Sequence, residues 1–207
     1  MRATLACVFV FCVLHFALVF AQQQLLDKVL ARIGTNAVTL SDVRAAVGLG
    51  LIDATSEDDP DAVNQMVNRQ LMLAEVTRFP PPEPAPAAVD QEVAAMKKHA
   101  GARLDDLMKA TGLDEMRLGD LARVTLRIQA YVAQRFGTSR PVSDEDVRRY
   151  YNEHQAEFTR DGKVRPFEEV ETEARQRAAA TRLRDTIAQW VRDLRSRTEV
   201  VMVGNKK

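Results

Sequence analysis

Five of the chain's eight prolines fall between residues 80 and 86, in the run FPPPEPAPAA. Proline lacks the backbone N–H and its ring clashes with the preceding helical turn. No helix or central strand can run through this stretch, so it reads as a stiff, extended connector over 80–87. The chain is thereby divided into a region ending near residue 79 and a helical region beginning near 88.

A second division lies at the start. Residues 1–21 (MRATLACVFVFCVLHFALVFA) combine Arg2 with an apolar run from Ala3 to Phe20. Val19 and Ala21 are small enough for a signal-peptidase site, and three glutamines come next. The segment reads as a secretory signal cleaved after Ala21, which places the chain in the periplasm or otherwise outside the cytoplasm. An uncleaved anchor is the alternative, and only then does membrane association follow. Both cysteines, Cys7 and Cys12, lie in this segment. The exported chain therefore has no disulfide or thiol chemistry.

Cleavage removes Arg2 and leaves 28 basic against 29 acidic residues. That balance argues against a nucleic-acid partner, which normally requires a basic excess.

The expected fold is mainly α, with a small antiparallel sheet. Asp27–Ile33 alternates apolar and polar residues, Gly34-Thr35-Asn36 marks a turn, and Ala37–Thr39 resumes extended structure. An isolated hairpin needs a partner. The remaining β-rich stretch, Glu199–Val203, is expected to pair with it. Thr39 with Asp42, and Ser143 with Asp146, form capping boxes that start helices. Apolar periodicity predicts further helices near 61–79, 89–100, 104–111 and 113–136, and one near 143–158. The last helix spans about Phe167 to Arg197, with glutamates at its start and arginines at its end. Residues 159–166 (TRDGKVRP) read as a short loop.

Motifs for reaction chemistry are sparse. There is no P-loop, G-x-S-x-G or H-E-x-x-H, and Gly48-Leu49-Gly50 lacks the third glycine of a dinucleotide fingerprint. His99 reads as solvent-facing and His154 as a core-edge residue. Two histidines without cysteine do not make a zinc site. No cofactor, metal or catalytic residue is expected. Met66, Met72, Met96, Met108 and Met116 lie on several predicted helices. Methionine suits both core filling and adaptable binding surfaces. With Tyr150 and Tyr151 these residues are the candidate client-binding set.

Four segments resemble the SurA/PrsA group of exported folding factors. DKVLARIGTNAVTLSDVRAAV is similar to that family's strand–turn–strand–helix opening, and NQMVNRQLMLAEVTRF to its second helix. PVSDEDVRRYYNEHQAEF looks like the helix preceding the family's parvulin isomerase domain. PFEEVETEARQ through WVRDLRSRTEVVMV looks like the helix and strand on the far side of that domain. In members that carry the isomerase, about a hundred residues separate these last two segments; here eight do.

The resemblance therefore implies a SurA-like chaperone body over 22–207 without the isomerase domain, divided as 22–79, 80–87, 88–158 and 167–203. It implies an ATP-independent chaperone rather than an enzyme, binding unfolded or nascent exported polypeptides in an apolar groove, with outer-membrane proteins among them. A minimal prolyl isomerase and a single-partner envelope adaptor are the alternatives. A homodimer formed by exchange of a helix or strand stays open.

Overall fold

The structure, a computed structural model, describes residues 27–137 and 141–203. The apolar segment 1–21, its expected cleavage after Ala21 and residues 22–26 lie outside the described residues.

The described residues are mainly helical, with a small three-stranded antiparallel sheet joining their first and last strands. Strands β1 (Val29–Ile33) and β2 (Asn36–Thr39) form a hairpin whose two-residue loop starts with Gly34 at φ +55°. A positive φ there lets the turn follow the strands' twist. Strand β5 (Val200–Met202) pairs antiparallel with β1, Ile33 opposite Val200 and Ala31 opposite Met202. The sheet order is β2-β1-β5. Each end of the chain thus supplies the partner that the other needs.

Helix α1 (Leu40–Gly48) begins at the Thr39–Asp42 capping box, in which the Asp42 N–H donates to Thr39 Oγ1 at 3.2 Å and the Thr39 N–H donates to Asp42 Oδ2 at 2.9 Å. Helix α2 (Ala62–Arg78) follows a polar loop that the Arg44–Glu57 ion pair fastens to α1. The proline run is irregular through Ala85, and Pro86 then forms the first residue of α3 (Pro86–Ala100). The helix begins earlier than periodicity suggests because the first helical position has no N–H to satisfy, and proline's fixed φ suits it. Helices α4 (Leu104–Thr111) and α5 (Glu115–Phe136) complete the central part, α5 capped by Asp114.

Helix α6 (Asp144–Glu153) starts at the Ser143 cap. Its apolar stripe does not run on as helix to Phe158; a 3-10 turn over Gln155–Phe158 carries that ring inward instead. Residues 159–166, expected as a loop, contain a second hairpin, β3 (Thr159–Arg160) with β4 (Lys163–Val164). Asp161 and Gly162 both have positive φ, +51° and +74°, the type I′ turn favoured by Asp-Gly. Helix α7 (Phe167–Ser196) then runs 30 residues back to the sheet.

Three apolar clusters form. The first unites the sheet, α1, α2, the C-terminal half of α5 and the C-terminal part of α7, with Val38, Val43 and Val67 fully buried. The second joins α3, α4 and the N-terminal half of α5 around Leu118 and Met96. The third is separate: Val147, Tyr150 and Phe158 pack on Val170, Ala174 and Ala178 of α7. We call the first two the body and the third the arm. Helix α7 belongs to both.

Candidate active site

The arm is built by small residues on α7. Ala174 and Ala178 leave room for α6 to approach, so Val147 and Tyr150 lie against them. Phe158 closes the end of this layer, with Tyr151 tilted against it at 5.3 Å between ring centroids. A lattice of charges encloses the apolar layer. Arg177 donates to Glu157 and Glu173, each at 2.7 Å, and Arg175 to Asp144 at 2.8 Å and Glu171 at 2.9 Å. These groups are partly exposed, so each pair contributes little by itself. As a set they fix the register of α6 and the turn on α7.

Tyr150 is the hinge of this arrangement. Its ring is 8% exposed, and its hydroxyl donates to Glu157 Oε2 at 2.9 Å. Burial and this bond push the Tyr150 hydroxyl up from its ordinary value. The Arg177 guanidinium, aided by the tyrosine, holds the Glu157 carboxyl below the usual range. Hydrogen bonds from Ser143 and Arg149 do the same for Asp146.

His154 stacks on Tyr150, the ring centroids 4.1 Å apart and the planes 12° from parallel. Its Nδ1 lies 2.9 Å from the Tyr150 carbonyl oxygen. A carbonyl can only accept, so Nδ1 carries the proton and donates. Nε2 is left as the ring nitrogen available to a ligand.

Between α6, the middle of α7 and the end of α5 lies a cleft of about 920 Å³. Phe136, Val142, Tyr150, Ala178 and Trp190 supply its apolar surface. Arg149, Arg182, Asp146 and Glu153 supply its charges, and His154 lies on its wall. Trp190 stacks on Tyr131 at 5.7 Å and meets Phe136 at 5.4 Å, with the Arg135 guanidinium over its ring at 5.8 Å. Its indole N–H is buried without a hydrogen-bond partner among the described residues. This cleft offers an apolar surface bordered by hydrogen-bonding groups.

The residues singled out in the sequence do not converge here. Met66 is 5% exposed and buried in the first cluster, with Met72 half-buried beside it. Met96, 2% exposed, and Met108 belong to the second cluster. Met116 is 75% exposed on α5. The methionines are thus dispersed over the body. Tyr150 and Tyr151 come together in the arm, but only Tyr150 lines the cleft. His154, Arg149, Arg182 and Trp190 are cleft residues that sequence reasoning passes over as core-edge or surface groups. The Tyr150–His154 spacing of four is the available signal, because it stacks two rings on one helical face. Among the described residues no cluster of three or more His, Cys, Asp or Glu could hold a metal, and no helix is long and apolar enough to cross a membrane.

Comparison with known proteins gives one finding about family. Residues 142–200 match the PPIC-type PPIase domain family. No curated protein and no solved structure matches the chain. The match runs from the residue before the Ser143 cap to the first residue of β5, so it takes in α6, the β3–β4 hairpin and all of α7.

This match corrects three expectations. The chain was expected to resemble a SurA-type chaperone lacking its parvulin domain, to act as an ATP-independent chaperone alone, and not to be an enzyme. A parvulin-type match at 142–200 conflicts with all three. The stretch 159–166 is eight residues long. That length bounds only what is inserted between the flanking segments. The match falls on the flanks themselves and continues through the hairpin that joins them.

Proposed function

We propose that the chain is a small peptidyl-prolyl cis–trans isomerase whose site is the cleft between α6 and α7. One observation carries the reading: the residues matching the PPIC-type PPIase family, 142–200, build two of that cleft's three walls.

The chemistry asked of such a site is modest. An X–Pro bond populates both isomers and interconverts in tens to hundreds of seconds, against a barrier of ~18–20 kcal/mol set by amide resonance. No bond breaks. Rotation removes the resonance, so the twisted amide is less dipolar than the planar one and favours a low-polarity surface. A group that stabilises the twisted form more than the planar one accelerates the exchange. Tyr150, Phe136 and Trp190 provide the surface for the proline ring. His154, with Nδ1 committed to the Tyr150 carbonyl, keeps Nε2 as a hydrogen-bond acceptor on the cleft wall. Arg149 and Arg182 supply donors for the carbonyls on either side.

We also propose that the enzyme works outside the cytoplasm on proline-containing segments of exported polypeptides. Arg2, the apolar run to Phe20 and the Val19–Ala21 site support this.

The test is exchange spectroscopy on short X–Pro peptides, with refolding of a proline-limited protein as a second readout. Catalytic amounts should accelerate both. His154→Ala should reduce kcat/KM at least tenfold while leaving the circular dichroism spectrum unchanged. No acceleration across peptides with acidic, basic and apolar residues before proline would end the proposal.

A further inference from the structure

A second cleft, of about 540 Å³, lies between α2, the loop before it and the C-terminal half of α7. Leu51, Ile52, Met72, Ile187 and Val191 give it apolar walls. Arg69, Arg184, Arg192 and Arg195 line it as well, against a single carboxylate, the exposed Asp53. Four cations facing one anion around an apolar cleft is an unbalanced arrangement.

Arg69 is the most telling of them. It is 9% exposed, and its Nη2 donates to Thr125 Oγ1 at 2.6 Å. The Thr125 hydroxyl spends its own proton on the Leu121 carbonyl, at 2.8 Å, so it acts on Arg69 purely as an acceptor. No ion pair joins Arg69, Arg184 or Arg195 to a carboxylate among the described residues. Arg184 donates to Thr181 and Arg195 to Asn64, both neutral. Burial pushes the Arg69 guanidinium down from its ordinary value, with Glu92 opposing. A guanidinium stays charged in proteins, and one this buried, bonded to a hydroxyl and not to a carboxylate, gains from an anion that joins it.

We infer that this cleft binds a medium-chain fatty carboxylate, its headgroup on Arg69 and Arg195 and its acyl chain along Leu51, Ile52, Ile187 and Val191. The volume is that of a small-molecule site. The walls are helix and loop, with no strand edge to hydrogen-bond an extended peptide backbone. That favours an acyl chain, which asks for nothing beyond apolar contact and one paired charge.

The experiment is calorimetric titration of the full exported chain with decanoate below its micellar concentration. Decanoate should bind at one saturable site, at least tenfold tighter than decanol. Arg69→Met should weaken it at least tenfold. Arg195→Gln, at a half-buried position and keeping a side-chain donor for Asn64, should weaken it several-fold and covers the case in which Arg69→Met fails to fold. Equal binding of decanol and decanoate, or an unchanged affinity in Arg195→Gln, would overturn the assignment. So would competition by a leucine-ended tripeptide as strong as that of decanoate, since the site would then read peptide termini.

Discussion

The body and the arm reach stability by different routes. The body buries residues from distant parts of the chain: Val38 of β2, Val67 of α2, Ile128 of α5 and Leu194 of α7 meet in one cluster. Its stability is apolar packing closed by a sheet whose outer strand is the last element described. The arm draws its cluster from one continuous stretch, Val147 to Ala178. It compensates for a thin core with arginine–carboxylate pairs. A local, charge-laced unit forms without long loop closures, whereas the body must bring its ends together. The matching family segment coincides largely with the local unit. The candidate chemistry thus sits on the part that depends most on electrostatics.

The largest test of this contrast is Phe158→Ala. The ring is 2% exposed and closes the arm's apolar layer, and removing it should cost ~3–5 kcal/mol. Hydrogen exchange should rise across 144–178 while amides of 29–76 keep their protection. Equal loss in both regions would show one cooperative unit. Gly162→Ala probes the hairpin at a position with open space around the new methyl and φ +74°. The cost is then conformational alone, about 1–2 kcal/mol, read as a lower urea midpoint for the arm. Tyr150→Phe removes the hydroxyl with its bond to Glu157 and its contact with Thr181, with an expected loss of ~0.5–1.5 kcal/mol.

Acid gives the smallest effect and the sharpest discrimination. Asp146 and Glu157 are both held low in the folded protein. The unfolded chain then binds more protons than the folded one at acid pH, so stability falls as pH falls. The loss begins near the unfolded carboxylate values of about 4 and continues down through the lowered folded values. Both groups belong to the arm. Its tyrosine fluorescence should change over that interval before the far-ultraviolet signal of the body does, and added salt should narrow the gap, because it screens the Arg149 and Arg177 charges that help hold both carboxyls low.

Local chemistry is readable from the residues. The Thr39 and Ser143 caps and the turn at Gly34 are encoded within four residues each. So is the demand of the N-terminal hairpin for a third strand, which Val200–Met202 meets. The Asp161–Gly162 turn is equally legible, since Asp-Gly between extended residues signals a hairpin; reading 159–166 as a loop passes over it. Tertiary neighbours are not legible. Nothing in a heptad-like stripe distinguishes buried Met96 from exposed Met116. Nor does the sequence reveal that Trp190 meets Phe136 and Tyr131, because contacts between α5 and α7 depend on how both helices cross. The cleft between α6 and α7 is a product of that crossing. Of its residues, the sequence pattern marks only Tyr150 as a binding candidate.

Helix α7 has one more consequence. At 30 residues it is about 45 Å long, anchored at one end by the sheet and the Trp190 cluster and carrying the arm at the other. It works as a lever. A tilt of about 5° at the anchored end displaces the far tip by about 4 Å over such a length. The width of the cleft is therefore governed by how firmly Trp190, Val191 and Leu194 are seated in the body. A substitution on the sheet would act as a change of leverage on the cleft between α6 and α7.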